Sequence, residues 1–208
     1  MIDFNLYLIT DRKQLHAANL FQVVEKALKG VVKAVQLREK DLSSQELYAA
    51  ACEMRALTSR YGARLFINDR VDIALSADAD GVHLGGESIP VAAARKLLAS
   101  GKLVGVSCHD RERALKAEQD GADFITFGPI YHTPSKARYG EPVGRLKLAD
   151  VTRVLRIPVF ALGGVNLSNA RELLASGAHG VALISALLTA EEPGVEAAKL
   201  LSLLATPP

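Results

Sequence analysis

Short, nearly uninterrupted apolar runs recur along the whole chain, separated by stretches whose apolar residues repeat with helical period. The runs are Leu6–Thr10, Ala34–Leu37, Arg64–Ile67, Gly81–Leu84, Leu103–Val106, Phe124–Phe127, Pro158–Leu162 and Gly180–Ile184. Continuous rather than alternating hydrophobicity is expected of parallel strands covered on both faces. The intervening stretches predict helices at Leu20–Lys29, Ser43–Arg60, Asp72–Ser76, Val91–Leu98, Asp110–Gln119, Leu146–Leu155, Ser168–Ala175 and Val195–Leu204. The second of these carries Leu47, Ala50, Ala51, Met54 and Leu57 on one stripe, with an N-cap near Ser44. Three helix-to-strand joints look alike: Ala77–Leu84, Asp120–Phe127 and Ser176–Leu183 each hold a glycine at or near a helix end, where a left-handed residue stops a helix. Eight βα units predict an α/β fold, a single-domain TIM (β/α)8 barrel over residues 1–208; four or five units would give an open doubly wound sheet.

Composition narrows the partners. With 49% hydrophobic and 23% charged residues the chain reads as a soluble folded protein. A net charge of +2 gives no surface for a polyanion, so nucleic acid is not an expected partner. Apolar runs of six or seven residues are too short to span a bilayer, so no membrane partner is expected either. Two cysteines, Cys52 and Cys108, offer no disulfide framework or CxxC zinc site. With no apolar leader after Met1, they predict a cytoplasmic protein. Self-association is left open.

The polar residues hardest to explain as surface filler fall just after strands: Gln36-Leu37-Arg38-Glu39-Lys40, Asn68-Asp69-Arg70, Ser107-Cys108-His109, Gly128 to Gly140, Gly163-Gly164 and Ser185. In a (β/α)8 barrel these positions share the one rim where catalysis occurs. Gly163-Gly164 ahead of Val165-Asn166-Leu167-Ser168, paired with Ile184-Ser185-Ala186, matches the phosphate cup of such barrels, where backbone amides approach an anion closely. A Gly-Gly pair alone is often only a turn. The loop Tyr131–Gly140 carries Thr133, Ser135, Lys136, Arg138 and Tyr139, which suits a lid over an anion; the competing reading is an ordinary solvated loop. Gln36, Arg38 and Lys40 alternate along a strand end and so share a side, where cations call for a ligand anion or else for Glu39, Asp41 or Asp69. Cys108 reads as a small packed residue and His83 as a satisfied core or rim residue.

Eight segments in barrel order then carry a family resemblance: LYLITD at Leu6, VQLREK at Val35, FINDRVDIAL at Phe66, ADGVHLG at Ala79, GVSCH at Gly105, FGPIYHTPSK at Phe127, FALGGV at Phe160 and GVALISAL at Gly180. The chain resembles the thiamine phosphate synthase and thiazole tautomerase family over nearly its whole length. The synthase joins an aminopyrimidine methyl diphosphate to a thiazole phosphate and releases pyrophosphate. The resemblance implies small phosphorylated substrates, with Gln36, Arg38 and Lys40 on the diphosphate, Asn68 beside it and Asp69 as a Mg2+ ligand. It also implies Ser107 on the pyrimidine, Thr133, Ser135 and Lys136 on the phosphates, and Gly164, Ile184 and Ser185 on the thiazole phosphate. Arg38, Lys136 and Ser107 would be the catalytic groups of a synthase.

One segment departs from that pattern. The synthase motif after strand four reads roughly Gly-Gln-Glu-Asp, its Asp being a second Mg2+ ligand; here the run is Gly85-Gly86-Glu87-Ser88. Mg2+ is commonly held by one or two carboxylates plus substrate phosphates, so Asp69 alone, or with a shifted Glu87, would serve. The alternative branch, thiazole tautomerase, needs neither diphosphate nor metal and by resemblance would use His109 to move a proton. Ser88 and Gly86 favour that branch, whereas Gln36, Arg38, Lys40, Asn68, Asp69 and Lys136 favour the synthase. A non-catalytic binder of thiazole phosphate is the third reading.

Overall fold

The computed structural model describes residues 2–15, 18–98, 100–133 and 141–205. Eight parallel strands, β1 (Leu6–Ile9), β2 (Ala34–Leu37), β3 (Arg64–Asn68), β4 (Gly81–Leu84), β5 (Leu103–Cys108), β6 (Phe124–Phe127), β7 (Val159–Leu162) and β8 (Gly180–Leu183), pair in chain order. β8 returns to β1 and closes the barrel. Helices α1 (Leu20–Gly30), α2 (Ser44–Arg60), α3 (Val71–Ser76), α4 (Val91–Leu97), α5 (Arg111–Gln119), α6 (Gly144–Val154) and α7 (Ala170–Ala175) alternate with the strands; α8 (Ser185–Leu188) and α9 (Pro193–Ala205) follow β8. The eightfold alternation expected from the apolar runs is therefore the fold. Among the described residues no helix is long and apolar enough to cross a membrane.

Three local readings are corrected. The N-cap of α2 is Ser43, whose side chain meets the Glu46 amide while Glu46 reaches back to Ser43, a capping box. Of the three look-alike joints, two stop their helices with left-handed glycines, Gly121 (φ +97°) and Gly177 (φ +88°); the first uses Asp78 (φ +50°). The four-residue α8 and the 3-10 turn at Arg12–Gln14 have no periodicity of their own and were not expected.

Aromatic rings fill the lower barrel. Phe4, Tyr7, Phe66, Phe124 and Phe160 meet at centroid separations of 5.2 to 6.1 Å, all buried. Gly105 has no side chain because a Cβ would stand 2.4 Å from the Phe124 ring and 2.5 Å from His83 Nδ1. The outer core packs the helices' apolar faces against the strands. At the strands' N-terminal ends a brace is repeated. Arg55 bonds the Ala63 carbonyl (3.1 Å) and Asp80, which accepts the Leu65 amide (2.7 Å). Arg95 likewise bonds the Lys102 carbonyl (2.8 Å) and Asp123, which accepts the Val104 amide (2.6 Å). Rings and braces make that end structural and leave the opposite rim for chemistry.

Candidate active site

Above the aromatic layer the barrel interior turns polar. Gln36 Nε2 donates to Tyr7 Oη (3.3 Å), and Tyr7 Oη and His83 Nδ1 lie 3.4 Å apart. His83 Nε2 is 3.0 Å from Ser107 Oγ, which also accepts from Thr126 Oγ1 (3.3 Å). Burial among these groups lowers the His83 pKa to about 3, against a smaller upward pull from Asp69, so the ring is neutral. A chain of bonds thus runs from the core to Ser107 at the floor of the cleft.

The cleft has two lobes at the C-terminal ends of the strands. The first, about 420 Å³, is walled by Gly163, Gly164 and Val165 after β7 and by Ile184, Ser185 and Ala186 after β8. His109, Gly128 and Thr133 close its side. Gly163 (φ +99°) and Gly164 (φ +67°) hold backbone that other residues rarely adopt, and a Cβ on Gly164 would lie 2.7 Å from Tyr131 Cβ. Asn169 Nδ2 fixes the turn by donating to the Gly164 carbonyl at 2.9 Å. His109 Nδ1 donates to the Gly128 carbonyl. Cys108 also lines this lobe, but burial pushes its thiol up to about 12, so it is no nucleophile.

The second lobe, about 300 Å³, contains Gln36, Arg38, Lys40 and Asn68. Asp11, Gln14, Ser107, Leu162 and Ile184 belong to both lobes and form their seam. Among the described residues no carboxylate pairs with Arg38 or Lys40. Glu39 and Asp41, which the sequence offered as partners, are taken by Arg12 at 3.2 and 2.7 Å and, for Asp41, by Lys13 at 3.2 Å. An anion entering here therefore meets unspent cations.

Asp69 stands behind Asn68, whose Nδ2 donates to its Oδ2 at 2.7 Å. Its Oδ1 accepts the Gly85 amide (3.1 Å) and the Ser88 hydroxyl. The two positions that the resemblance pairs at a metal are thus adjacent, whereas Glu87, the alternative second ligand, is exposed. The oxygen donor set suits a hard cation such as Mg2+. Among the described residues no group of three His, Cys, Asp or Glu side chains could hold a metal alone, so diphosphate and water would have to complete the shell.

Gln36, Arg38, Lys40, Asn68, Ser107, His109, Thr133, Gly164, Ile184 and Ser185 are gathered into one cleft. Ser135 and Lys136 lie outside the described residues. Asp11, Lys13 and Gln14 were missed, although Thr10-Asp11 follows β1 as directly as the other sites follow their strands.

Comparison with known proteins agrees with this geometry. The sequence profile described as thiamine monophosphate synthase matches residues 6–187. A relative in Geobacter sulfurreducens is 61% identical over 203 residues, covering 98% of this chain and 95% of its own. The thiamine-phosphate synthase of Clostridium novyi is 43% identical over 187 residues, 90% of this chain and 92% of that protein. Among solved structures, a thiamine phosphate pyrophosphorylase from Pyrococcus furiosus superposes with a TM-score of 0.87 at 38% identity, covering 96% of this chain and 95% of that one. Profile, relatives and fold agree over nearly the full length: the chain belongs to the thiamine monophosphate synthase family.

Proposed function

We propose that this protein is a thiamine-phosphate synthase that joins an aminopyrimidine methyl diphosphate to a thiazole phosphate, yielding thiamine phosphate and pyrophosphate. The observation that carries the reading is the bilobed cleft, glycine-walled on one side and cationic on the other, with a shared seam. In this reading each lobe takes one substrate, and the reacting carbon and nitrogen meet where the lobes join. A tautomerase would use the glycine lobe and His109 but would leave Arg38 and Lys40 without a task.

In this reading Arg38 and Lys40, with Gln36 and Asn68 beside them, bind the diphosphate, and Lys136 is assigned to the same phosphates on the resemblance. Gly164, Ile184 and Ser185 bind the thiazole phosphate through backbone groups, and Thr133 and Ser135 are assigned to phosphates. Ser107, oriented by His83 and Thr126, holds the pyrimidine at the seam. The C–O bond between methylene and diphosphate breaks, its electron pair leaving with pyrophosphate, and the thiazole nitrogen lone pair forms the new C–N bond to the resulting cation. Cations fixed beforehand stabilise the charge that grows on the leaving group, and the seam holds the nucleophile in line. Asp69, with the Ser88 hydroxyl, would hold Mg2+, which supplies further neutralisation of the leaving pyrophosphate when bound.

The test is pyrophosphate release from purified protein given both substrates and Mg2+, with each substrate alone as control.

A further inference from the structure

Glu39 lies in the wall of the cation lobe but is only 5% exposed, and its bonds run sideways to the end of β1. Thr10 Oγ1 donates to its Oε1 at 2.6 Å. The Arg12 amide donates to both oxygens, at 3.2 and 3.1 Å, and Arg12 Nη1 adds a bond to Oε2 at 3.2 Å. The same Thr10 oxygen accepts the backbone amide of Arg38 at 2.9 Å. Arg12 continues to Asp41 with two bonds, at 2.7 and 3.0 Å. Residues 38, 39 and 41 are therefore each tied to the Thr10–Arg12 segment, with Arg38 at one tie and Lys40 between the other two.

A carboxylate beside an anion site repels the anion unless it is neutralised, and a buried ion pair contributes little net stability by itself. Hydrophobic packing would hold these strand ends together equally well. What the ionic brace adds is a fixed direction for the chain that carries Arg38 and Lys40, with the charges of Glu39 and Asp41 balanced by Arg12 and Lys13. Binding groups held in place beforehand lose less entropy when the ligand arrives.

We propose that Glu39 is a positioning residue. Through Thr10 and Arg12 it locks the end of β2 against the end of β1, so that Arg38 and Lys40 meet the diphosphate as a preset pair, while Glu39 itself does not touch substrate. The proposal rests on the reading of the cation lobe as the diphosphate site, and the test separates the two.

Binding of inorganic pyrophosphate with Mg2+ is measured by calorimetry, and KM for each substrate by steady-state kinetics, for wild type, Arg38→Met, Glu39→Gln, Thr10→Val and Thr10→Ser. Arg38→Met is expected to weaken pyrophosphate at least tenfold. Glu39→Gln and Thr10→Val are expected to weaken it, and to raise KM for the diphosphate substrate, about tenfold, with KM for thiazole phosphate within twofold. Thr10→Ser, which keeps the hydroxyl, should restore wild-type binding. Pyrophosphate affinity within twofold of wild type in Glu39→Gln and Thr10→Val, or an equal rise in both KM values, overturns the positioning role. Failure of both variants to fold by circular dichroism also overturns it, because a brace for Arg38 and Lys40 is not a requirement for the barrel. If Arg38→Met itself binds pyrophosphate normally, the assignment of the lobe fails instead.

Discussion

The Ser88 hydroxyl donates a hydrogen bond to Oδ1 of Asp69, so the serine stands where it can present an oxygen to the same point as the carboxylate. Asp69 adopts a left-handed backbone (φ +62°) that turns its side chain toward the β4 loop, where Gly85 and Ser88 both meet it. A second carboxylate at position 88 would repel Asp69 in the absence of a cation and share the cation when one is bound. Ser88→Asp should therefore lower the Mg2+ concentration for half-maximal pyrophosphate release, by about tenfold, since ligand charge sets affinity at such sites. Its thermal midpoint should drop in chelator and recover with Mg2+. A Mg2+ titration superimposable on wild type would show that this pair is not the metal position.

Gly164→Ala probes the glycine lobe. The added Cβ would lie 2.7 Å from Tyr131 Cβ and 3.0 Å from the His132 carbonyl oxygen, on backbone at φ +67°. Both faults fall on the turn assigned to the thiazole phosphate. Strain of this kind is worth about 1–3 kcal/mol, so KM for thiazole phosphate should rise about tenfold or more. KM for the diphosphate should change much less. Equal effects on the two would detach the turn from the thiazole phosphate.

Lys40→Met keeps the length of an exposed side chain and removes its charge. A hydrogen bond to a charged group contributes about 1.5–3 kcal/mol, so KM for the diphosphate substrate should rise about tenfold to a hundredfold. Added salt should weaken wild type more than the variant. An unchanged KM would remove Lys40 from the lobe's binding groups.

His83 gives a pH signature in stability. Its folded pKa, about 3, lies below the ordinary histidine value, so the folded state binds fewer protons than the unfolded state between those limits. The contribution of the neutral ring is fully present above the unfolded value and is lost as pH falls toward 3. The slope is about 1.4 kcal/mol per pH unit below an unfolded pKa of about 6.5. Denaturant unfolding of wild type and His83→Gln between pH 6 and 4.5 should show the variant's pH dependence shallower by roughly that slope. Parallel curves would mean the ring is protonated in the folded protein.

Much of this fold was legible because a parallel barrel writes itself locally. Each strand is an apolar run covered on both sides, and β2, β4 and β6 lie where hydrophobicity alone put them. What was not legible depends on neighbours in space. The shared seam at Asp11 and Gln14 arises because β1 closes against β8 and β2, and the 3-10 turn that carries Gln14 has too few residues to show a period. The partner of Glu39 was not legible for the same reason: sequence adjacency offered Arg38 and Lys40 only as the alternative to a ligand anion, whereas the register of β1 on β2 delivers Arg12. Even the segment that departs from the family motif made sense only in three dimensions, where Ser88 meets Asp69 and Glu87 turns outward.

The most direct test of the two-lobed condensation follows pyrophosphate and thiamine phosphate together, after wild-type protein is mixed with both phosphorylated substrates and Mg2+. Equimolar formation of the two products, and none with either substrate alone, is the expected result. Absence of pyrophosphate, with the thiazole phosphate isomerised or exchanging deuterium from solvent, would contradict the account.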